Sequence, residues 1–357
     1  MSDKKQLVMG NNALAFGALH GGCDGFFGYP ITPQNEVPET ISRLFPAHGR
    51  VFLQAESEVA SINMVYGAAA AGKRAMTSSS SPGISLMMEG LSYIAGAELP
   101  CVLINVMRGG PGLGNIAASQ SDYFQATKGG GHGDYRCIVL TPWNVQEMYE
   151  HTRIAFDLAD RYRIPTFVLT DAVLGSMMEP AAIPDDPPPV RPPAKPWATT
   201  GLNGRKQHNI VNSLYLEPEA LSDLNERLQA VYRGITQNEQ RHDTRLTDDA
   251  EYVLVAYGVC ARIGLGAVKL ARQAGIKVGL FRPVTCWPYP SDALRTLMTR
   301  VRGTLVFELS AGQMVEDVRL TAPPGHRVGF FGKMGGVLPS PAEVYERIRE
   351  FVGDADG

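Results

Sequence analysis

A threonine held between two prolines is the first feature of this sequence that suggests chemistry. Residues 28–33 read GYPITP and follow an apolar run that ends at Phe27, so Thr32 lies just beyond a predicted strand. One interpretation is structural: Thr32 caps a helix whose first turn contains Pro33, a common helix start. The other is functional, because a helix start carries free N–H groups and a positive dipole end that suit a carboxylate or a phosphate. In that case the prolines hold the hydroxyl in place before a ligand arrives.

Two acidic residues follow the next predicted strand. Glu56 and Glu58 stand in the sequence QAESE, at the start of a helical stretch rich in small residues. Acidic side chains near a helix N-terminus are stabilised by the helix dipole, which is a sufficient structural explanation. A carboxylate that points into a cleft can instead take part in proton transfer. The spacing alone does not separate these two interpretations.

An arginine and a glycine-rich loop follow a third strand. The sequence MRGGPGLG places Arg108 directly after the strand, where a guanidinium suits two-point binding of a carboxylate. Gly112, Gly114 and Ala117 formally match a dinucleotide-binding fingerprint, and Asp134 stands where its acidic residue would be. That match is disfavoured because a loop separates the strand from the glycines, whereas the fingerprint turns at once into a helix. A carboxylate site is therefore favoured over a nicotinamide site.

Two further stretches are interpreted structurally. Ser78 to Ser81 precede a Pro-Gly pair, and no G-x-S-x-G elbow is present to make one of them a nucleophile. His132 stands among glycines in GGGHGDYR, where a turn residue is favoured over a general base.

The elements that must position these residues alternate between strands and helices. Apolar runs predict strands at 26–27, 51–53, 74–78, 101–107, 137–140 and 165–169, and the stretches between them predict helices near 35–44, 57–71, 84–97 and 144–162. This alternation predicts a parallel sheet covered on both faces, with ligands bound beyond the carboxyl ends of its strands. The three motifs all lie at such ends.

A proline-rich segment divides the chain. From Pro180 the sequence PAAIPDDPPPVRPPAKPW excludes a helix or a central strand. Beyond it, a helix is predicted at about 217–240, and alternation resumes with apolar runs at 253–257, 278–281, 304–308 and 328–331. The predicted organisation is an α/β domain over 1–180, a linker with a connecting helix over 181–245, and a smaller α/β domain over 246–357.

Composition excludes several other classes of function. The 357 residues are 44% hydrophobic and carry a net charge of −3, which argues against binding nucleic acid or an acidic membrane through bulk charge. No apolar run approaches the ~20 residues of a membrane helix, and the start lacks a signal-peptide pattern, so a cytoplasmic protein is expected. The five cysteines form no C-x-x-C pair, which disfavours a metal or iron–sulfur site made by this chain alone, and most are expected to be buried.

Taken together, the motifs resemble a known family. In chain order they are GYPITP, QAESEVASINMVYGAAAAG, SSSSPGISLMMEG, AELPCVLINVMRGGPGLGN, SQSDYFQATKGGGHGDYR and RPVTCWPYP. Over nearly the whole chain they resemble the alpha subunit of the thiamine diphosphate-dependent 2-oxoacid:ferredoxin oxidoreductases, nearest the 3-methyl-2-oxobutanoate (2-oxoisovalerate) branch. The resemblance implies an α/β fold, with a pyrimidine-binding domain built on a parallel sheet and a transketolase C-terminal-like α/β domain after it.

The resemblance also implies roles for several residues. Thr32 and Arg108 correspond to the pair that holds the substrate carboxylate. Glu58 corresponds to the glutamate that hydrogen-bonds the aminopyrimidine ring of the cofactor and favours deprotonation of its thiazolium carbon, and Glu56 is the alternative. Pro30 and Ile31 are implied to contact the cofactor. No metal ligand is assigned in this chain.

The implied activity is oxidative decarboxylation of a 2-oxoacid with coenzyme A, of the EC 1.2.7 type. The products are an acyl-CoA and carbon dioxide, and the electrons pass through iron–sulfur clusters to ferredoxin. The diphosphate–Mg²⁺ signature of thiamine enzymes, G-D-G followed by a later Asn, is absent from the sequence. The chain is therefore expected to carry half of a cofactor site and to be inactive alone. The resemblance implies that a beta subunit supplies the diphosphate and Mg²⁺ half, and that gamma and ferredoxin-like delta subunits complete the complex and carry the clusters.

Three alternatives stay open on the sequence. The 2-oxoglutarate, aryl and pyruvate-type 2-oxoacids bear the same carboxylate and ketone as 3-methyl-2-oxobutanoate, so the side chain of the substrate is not determined. A thiamine diphosphate-dependent decarboxylase or transferase component that works without ferredoxin is a second hypothesis. A non-catalytic binding or regulatory subunit with the same fold is a third. No nucleic-acid or membrane partner is expected.

Overall fold

Strands and helices alternate along the chain in the structure, a computed structural model that describes residues 5–187 and 189–356. The first part runs β1 (Gln6–Met9), α1 (Gly10–His20), β2 (Gly25–Gly28), α2 (Glu36–Ala47), β3 (Val51–Gln54), α3 (Glu58–Ala70), β4 (Ala75–Ser79), α4 (Ser81–Gly96), β5 (Cys101–Met107), α5 (Tyr123–Thr127), β6 (Ile138–Leu140), α6 (Val145–Tyr162), β7 (Pro165–Asp171), α7 (Ala172–Ser176) and β8 (Met178–Ala181). The later part runs α8 (Pro218–Asn238), β9 (His242–Arg245), β10 (Tyr252–Val255), α9 (Gly258–Gln273), β11 (Val278–Pro283), β12 (Thr285–Trp287), α10 (Ser291–Met298), β13 (Gly303–Glu308), α11 (Met314–Thr321), β14 (Arg327–Gly332) and α12 (Pro341–Asp356). Each strand predicted from an apolar run is present.

The larger sheet has seven strands in the order β12-β6-β7-β5-β4-β2-β3. Its neighbouring strands are parallel except for β12 and β6, so the expected parallel sheet gains one antiparallel edge strand. The edge strand β12 comes from the later part of the chain and has only three residues. Three residues are too few to show a hydrophobic period, so the sequence does not predict this strand.

Alternate residues of the central strand β5 face opposite layers of helices. Val102, Ile104 and Val106 pack with side chains of α1 and α6. Leu103 and Met107 pack with side chains of α3 and α4 on the other face. All seven residues of β5 are buried, as a parallel strand covered on both faces requires. The predicted α/β fold class is confirmed.

The second sheet has five strands in the order β14-β13-β10-β11-β9, and only β11 and β9 are antiparallel. The helix α9 packs on this sheet and against α12. Within the ranges that the structure describes, no helix combines the length and the apolar character needed to cross a bilayer.

Buried ion pairs hold the proline-rich segment against the helix α6. The first two residues of the segment, Pro180 and Ala181, end β8, which among the described residues pairs only with β1 in a two-stranded sheet. The described residues after them, 182–187 and 189–197, contain neither helix nor strand, as the proline content predicts. Lys195 Nζ in this segment lies 2.6 Å from the Asp160 carboxylate on α6, and Arg74 Nε lies 2.8 Å from the same carboxylate. All three side chains are nearly fully buried, and the Asp157 carboxylate, 2.7 Å from Arg74 Nη2, supplies the second negative charge that balances the two cations.

A second group of buried charges joins the later part of the chain to α6. Arg282 on β11 lies 2.8 Å from Glu147, and its guanidinium stands 4.6 Å over the Trp143 ring. His151 is buried one helical turn after Glu147. Burial, assisted by the positive charges of Arg282 and Arg241, lowers the pKa of His151 to about 3. This histidine therefore stays neutral in the folded chain.

We expect His151→Gln to reduce the sensitivity of the folded chain to acid. Because the pKa of His151 is about 3 when folded and 6.5 for an ordinary histidine, the unfolded chain takes up a proton that the folded chain refuses, and stability falls as pH drops below 6.5. At about pH 5 the loss is about 2 kcal/mol. Urea denaturation at about pH 7.5 and pH 5 should therefore show a change in the free energy of unfolding that is about 2 kcal/mol smaller in the variant.

The control for this prediction is His208→Gln, since His208 is exposed. That variant should keep the pH dependence of the wild-type chain. An identical pH dependence in His151→Gln and wild type would contradict the assignment of His151 as a buried neutral group.

Candidate active site

Four adjacent strands of the larger sheet, β5, β4, β2 and β3, end at one edge. Because these strands are parallel, their carboxyl ends lie side by side, and the chain that leaves each strand carries one of the motifs. The strand β2 leads into residues 28–33, and β3 leads towards Glu58. The strand β4 leads into α4, and β5 leads into Arg108. The order of the strands thus brings together motifs that are far apart in the sequence.

Arg108 is a buried cation without a counter-anion in the described part of the chain. It is 7% exposed; its Nη1 donates to the Thr32 carbonyl at 2.9 Å and its Nη2 donates to the Leu113 carbonyl at 3.1 Å. Its Nε is buried and has no hydrogen-bond partner. Among the residues that the structure describes, no carboxylate lies within ion-pair distance of this guanidinium. A buried guanidinium with unused donors suits bidentate binding of a carboxylate, because an uncompensated buried charge is costly.

Thr32 lies beside Arg108 but does not cap the following helix. The helix α2 begins at Glu36, and its N-cap residue is Asn35. The expectation that Thr32 is the cap is wrong, because a turn over residues 31–34 closes before the helix starts. The Thr32–Pro33 peptide bond in this turn is cis. Thr32 Oγ1 accepts a hydrogen bond from Asn35 Nδ2 at 3.3 Å and remains exposed to a ligand.

Two further buried polar side chains hold this turn, and the sequence motifs do not predict either of them. Gln34 is fully buried; its Oε1 accepts from Ser78 Oγ at 2.5 Å, and its Nε2 donates to the Tyr29 carbonyl at 3.4 Å. Asn11 on α1 donates to the Pro33 carbonyl at 2.8 Å. The turn is thus tied both to β4 and to α1. The only available hint is that an asparagine stands among apolar residues of α1, where a buried amide needs a partner.

Glu58 and Glu56 differ in burial. Glu58 is the first residue of α3 and is 5% exposed, whereas Glu56 is exposed. The cap of α3 is Ser57, whose Oγ accepts from the Ala60 N–H at 3.1 Å, so neither glutamate is needed as a cap. Within the described part of the chain, the Glu58 carboxylate has no hydrogen-bond or ion-pair partner. A buried carboxylate of this kind fits a ligand that donates or shares a proton.

The Glu58 carboxylate is surrounded by polar groups and lies close to the main chain of Gly83. Gly83, in the first turn of α4, stands so close that a Cβ there would lie 2.6 Å from Glu58 Oε1 and 2.0 Å from Ser79 Oγ. The hydroxyls of Ser79 and Ser80 are buried without partners. Glycine is therefore required at position 83, and it borders a small surface whose acceptors and donors are unused. Such a surface fits a flat heteroaromatic ring that bears N–H groups and ring nitrogens.

The loop after Arg108 folds back on itself. The Asn115 N–H donates to the Gly109 carbonyl at 3.0 Å. At Gly114 the φ angle is +60°, and a Cβ would lie 1.7 Å from that same carbonyl oxygen, so only glycine fits. Residues 108–118 contain no helix, which the dinucleotide fingerprint would require. The glycines therefore close a loop here and do not form a dinucleotide site.

A cavity of about 400 Å³ lies between this loop and the second sheet. Its walls include residues 109–112 and Asp122 on one side, and Ser310 and Gln313 after β13 on the other. Burial raises the pKa of Asp122, although hydrogen bonds from neighbouring side chains oppose that rise.

The structure places the predicted residues at the same edge of the sheet but not in one cluster. Thr32 and Arg108 are in direct contact, and Glu58 at its own strand end bonds to neither of them. Pro30 is exposed and Ile31 is half-buried, both in the turn that carries Thr32. Their roles towards substrate and cofactor stay predictions.

Comparisons with known families cover most of the chain. Residues 16–241 match the family model described as pyruvate flavodoxin/ferredoxin oxidoreductase, thiamine diphosphate-binding. Residues 250–344 match the model described as pyruvate:ferredoxin oxidoreductase core domain II.

Individual relatives agree with these models. Ketoisovalerate oxidoreductase subunit VorB of Methanothermobacter thermautotrophicus is 52% identical over 351 residues, which are 98% of this chain and 99% of that protein. The 2-oxoglutarate synthase subunit KorA of Methanothermobacter marburgensis is 35% identical over 370 residues, which are 97% of this chain and 98% of that protein.

Two solved structures have folds similar to that of this chain. The 2-oxoglutarate:ferredoxin oxidoreductase from Magnetococcus marinus, with 2-oxoglutarate, coenzyme A and succinyl-CoA bound, has a TM-score of 0.84 at 27% identity and covers 98% of this chain and 66% of that chain. A split-gene transketolase, as an inactive beta4 tetramer, shares the fold alone, with a TM-score of 0.58 and 12% identity over 95% of this chain and 96% of that chain. The resemblance seen in the motifs is confirmed: the chain belongs to the 2-oxoacid:ferredoxin oxidoreductase family.

Proposed function

We propose that this chain is the alpha subunit of a 2-oxoacid:ferredoxin oxidoreductase and that it binds the 2-oxoacid carboxylate through Arg108 and Thr32. The proposal depends above all on one observation: among the described residues Arg108 is a buried cation without a counter-anion and with an unused Nε donor, and its Nη1 bonds the main-chain carbonyl of Thr32, whose side chain is exposed. A substrate carboxylate would neutralise this charge. Because the bonds from Arg108 to two main-chain carbonyls hold the guanidinium before the substrate arrives, little side-chain freedom is lost on binding.

The residues around Glu58 fit the aminopyrimidine ring of thiamine diphosphate. The fit rests on the partnerless Glu58 carboxylate and on the unpaired Ser79 and Ser80 hydroxyls beside Gly83. When bound, this cofactor supplies a carbon nucleophile and an electron sink for decarboxylation of a 2-oxoacid. Glu58 would hold a proton at the ring nitrogen, and burial would keep water away from that hydrogen bond.

Pro30 and Ile31 are proposed to line the same ring from the turn after β2. Both lie next to Thr32 in the chain, so a cofactor held there would stand beside the carboxylate site. No bond between this turn and Glu58 is present among the described residues, so a ring held by both would replace no existing contact between them.

The substrate is proposed to be 3-methyl-2-oxobutanoate. Relatives that are 52% and 49% identical are named ketoisovalerate oxidoreductase subunits, whereas those named 2-oxoglutarate synthase subunits are 35–36% identical. On the loop that touches Arg108, the apolar side chains of Leu113 and Ile116 are 82% and 62% exposed. An apolar loop suits a branched hydrocarbon side chain better than a second carboxylate. The 2-oxoglutarate, aryl and pyruvate-type acids are the alternatives.

Partner subunits are proposed to complete the enzyme: a beta subunit with the diphosphate and Mg²⁺, and gamma and ferredoxin-like delta subunits with the iron–sulfur clusters. The relatives are themselves named as subunits, and the sequence has no G-D-G signature. All five cysteines are buried and unpaired, as predicted for most of them. Burial raises the pKa of Cys101 and Cys260 well above the usual range, which disfavours thiolate ligands. Coenzyme A as co-substrate, ferredoxin as acceptor, a cytoplasmic location and domain limits at 180 and 245 are parts of the same proposal.

The experiment that tests this proposal is anaerobic purification of the native complex through a tag on this chain. Thiamine diphosphate, iron and sulfide are then measured, and coenzyme A-dependent reduction of a viologen dye is followed with a panel of 2-oxoacids. Partner chains with clusters, and turnover fastest on 3-methyl-2-oxobutanoate, would support the proposal. A complex that holds the cofactor but no clusters would indicate a decarboxylase or transferase component. A chain without cofactor or partners would favour a binding or regulatory subunit, and turnover confined to another 2-oxoacid would overturn only the substrate.

A further inference from the structure

A short series of hydrogen bonds connects a carboxylate to the main chain of Arg108. Ser81 Oγ donates to Asp122 Oδ2 at 2.6 Å, and the Arg108 N–H donates to Ser81 Oγ at 3.1 Å. Asn105 Nδ2 donates to the same Asp122 oxygen at 2.9 Å. A serine hydroxyl has one proton and rotates freely unless a strong acceptor holds that proton. The Arg108 carbonyl, at 3.3 Å, is a second acceptor within reach of this proton, but the Asp122 carboxylate is closer and charged. Because the carboxylate takes the proton, the lone pairs of Ser81 stay turned towards the Arg108 N–H.

Arg108 needs a restraint of this kind because it stands where the sheet ends. The strand β5 ends at Met107, and beyond it the main chain of Arg108 is paired with Ala118 in an isolated bridge. The next two residues are Gly109 and Gly110, which restrict the main chain least of all residue types. The main chain of Arg108 sets the direction in which its side chain leaves the strand end. The hydrogen bond to Ser81 is one of the contacts that fix this main chain.

Asp122 itself is held from the later part of the chain. Two residues before it, the fully buried Gln120 donates from Nε2 to the Tyr257 carbonyl at 2.9 Å. Gln120 Oε1 accepts from the Leu309 N–H at 3.1 Å. The Tyr257 carbonyl and the Leu309 N–H lie just beyond the carboxyl ends of β10 and β13 in the second sheet. The position of Asp122 therefore depends on how the second sheet packs against the larger one.

We infer that Asp122 is a positioning residue, which orients Ser81 so that Ser81 fixes the main chain of Arg108 and the direction of its guanidinium. The inference rests on the proposed role of Arg108 as the carboxylate-binding residue, and Asp122 itself does not touch the substrate. If these hydrogen bonds only stabilised the fold, their loss would lower the thermal stability and leave the binding of the 2-oxoacid unchanged. The two possibilities therefore differ in the KM for the 2-oxoacid.

The test compares Ser81→Ala, Asp122→Asn and Ser81→Thr in the complete complex. The first two variants should raise the KM for 3-methyl-2-oxobutanoate about tenfold, which is the effect of losing one hydrogen bond that involves a charged group. The KM for coenzyme A should change less than about twofold. Ser81→Thr keeps the hydroxyl and should restore the wild-type KM to within about threefold. The calorimetric Kd of 2-hydroxy-3-methylbutanoate, an acid that cannot be decarboxylated, should shift by the same factor as the KM.

The control is Thr152→Val, which removes a fully buried hydroxyl that donates to the Met148 carbonyl at 2.8 Å within α6, away from the strand ends. This variant should lower the Tm without changing the KM. The double variant Ser81→Ala/Arg108→Ala should have the same KM as Arg108→Ala, because the effect of Ser81 passes through Arg108.

Two results would overturn the inference: a KM within about twofold of wild type in both Ser81→Ala and Asp122→Asn, or effects of Ser81→Ala and Arg108→Ala that multiply in the double variant. Asp122→Asn is nearly isosteric and gives a separate measurement if Ser81→Ala fails to fold. If Arg108→Ala raises the KM and these variants do not, only the inference fails. If Arg108→Ala also leaves the KM unchanged, the proposed carboxylate site fails with it.

Discussion

Glu58→Gln is expected to lower the turnover of the assembled complex by at least ~100-fold, the lower end of what a positioned acid–base group contributes. Glutamine keeps the size of the side chain, but its amide cannot hold or release a proton at the cofactor ring nitrogen. Glu58 is buried and has no partner among the described residues, so its carboxylate is available to a ligand. Turnover is measured as coenzyme A-dependent viologen reduction, and the thiamine diphosphate content is measured in the same preparation.

The control is Glu56→Gln, two residues earlier in the chain and exposed. It should keep a near-normal rate. A normal rate in Glu58→Gln together with a large loss in Glu56→Gln would move the role to Glu56. Normal rates in both variants would remove the role from this part of the chain and would favour a non-catalytic subunit.

Arg108→Ala is expected mainly to raise the KM for the 2-oxoacid, by about 100-fold, because a bidentate charge-assisted pair is lost from a buried site. A carboxylate clamp binds ground state and transition state to a similar degree, so kcat should fall much less than KM rises. Arg108→Lys keeps the charge but loses the planar pair of donors and should lie between alanine and wild type. Steady-state kinetics with the panel of 2-oxoacids checks both variants.

The control for this prediction is Arg50→Ala. Arg50 also uses its guanidinium to bond a main-chain carbonyl, that of Cys23 at 2.6 Å, but it precedes β3 and lies away from the carboxyl ends of the strands. Its loss should leave the KM near wild type. An unchanged KM in Arg108→Ala with every 2-oxoacid tested would contradict the carboxylate assignment.

The fold could be predicted from the sequence because its central strands are long apolar runs. The residues CVLINVM and PTFVLT are buried on both faces, and their composition alone predicts β5 and β7. The proximity of Thr32 and Arg108 could also be predicted, since parallel strands that alternate with helices bring their carboxyl ends together. These are regular features that repeat along the chain.

The details that could not be predicted depend on single tertiary contacts. The sequence around Thr32 is typical of a helix cap, but bonds from Gln34 and Asn11 hold a separate turn there. Glu56 and Glu58 stand in the same short acidic sequence, and their different burial, with Gly83 packed against Glu58, distinguishes them only in the structure. Contacts of this kind have no period and no fixed spacing, so the sequence offers no pattern from which to infer them.

The larger sheet is complete only after the strand β12 has been synthesised. The residues of β12, Thr285–Trp287, cover the free side of β6, which ends at Leu140. Until the ribosome has passed residue 287, β6 is an uncovered edge strand of the kind that pairs with other chains. The nascent protein therefore carries an open sheet edge from the synthesis of β6 until that of β12, and chaperones or early partner subunits have that interval in which to protect it.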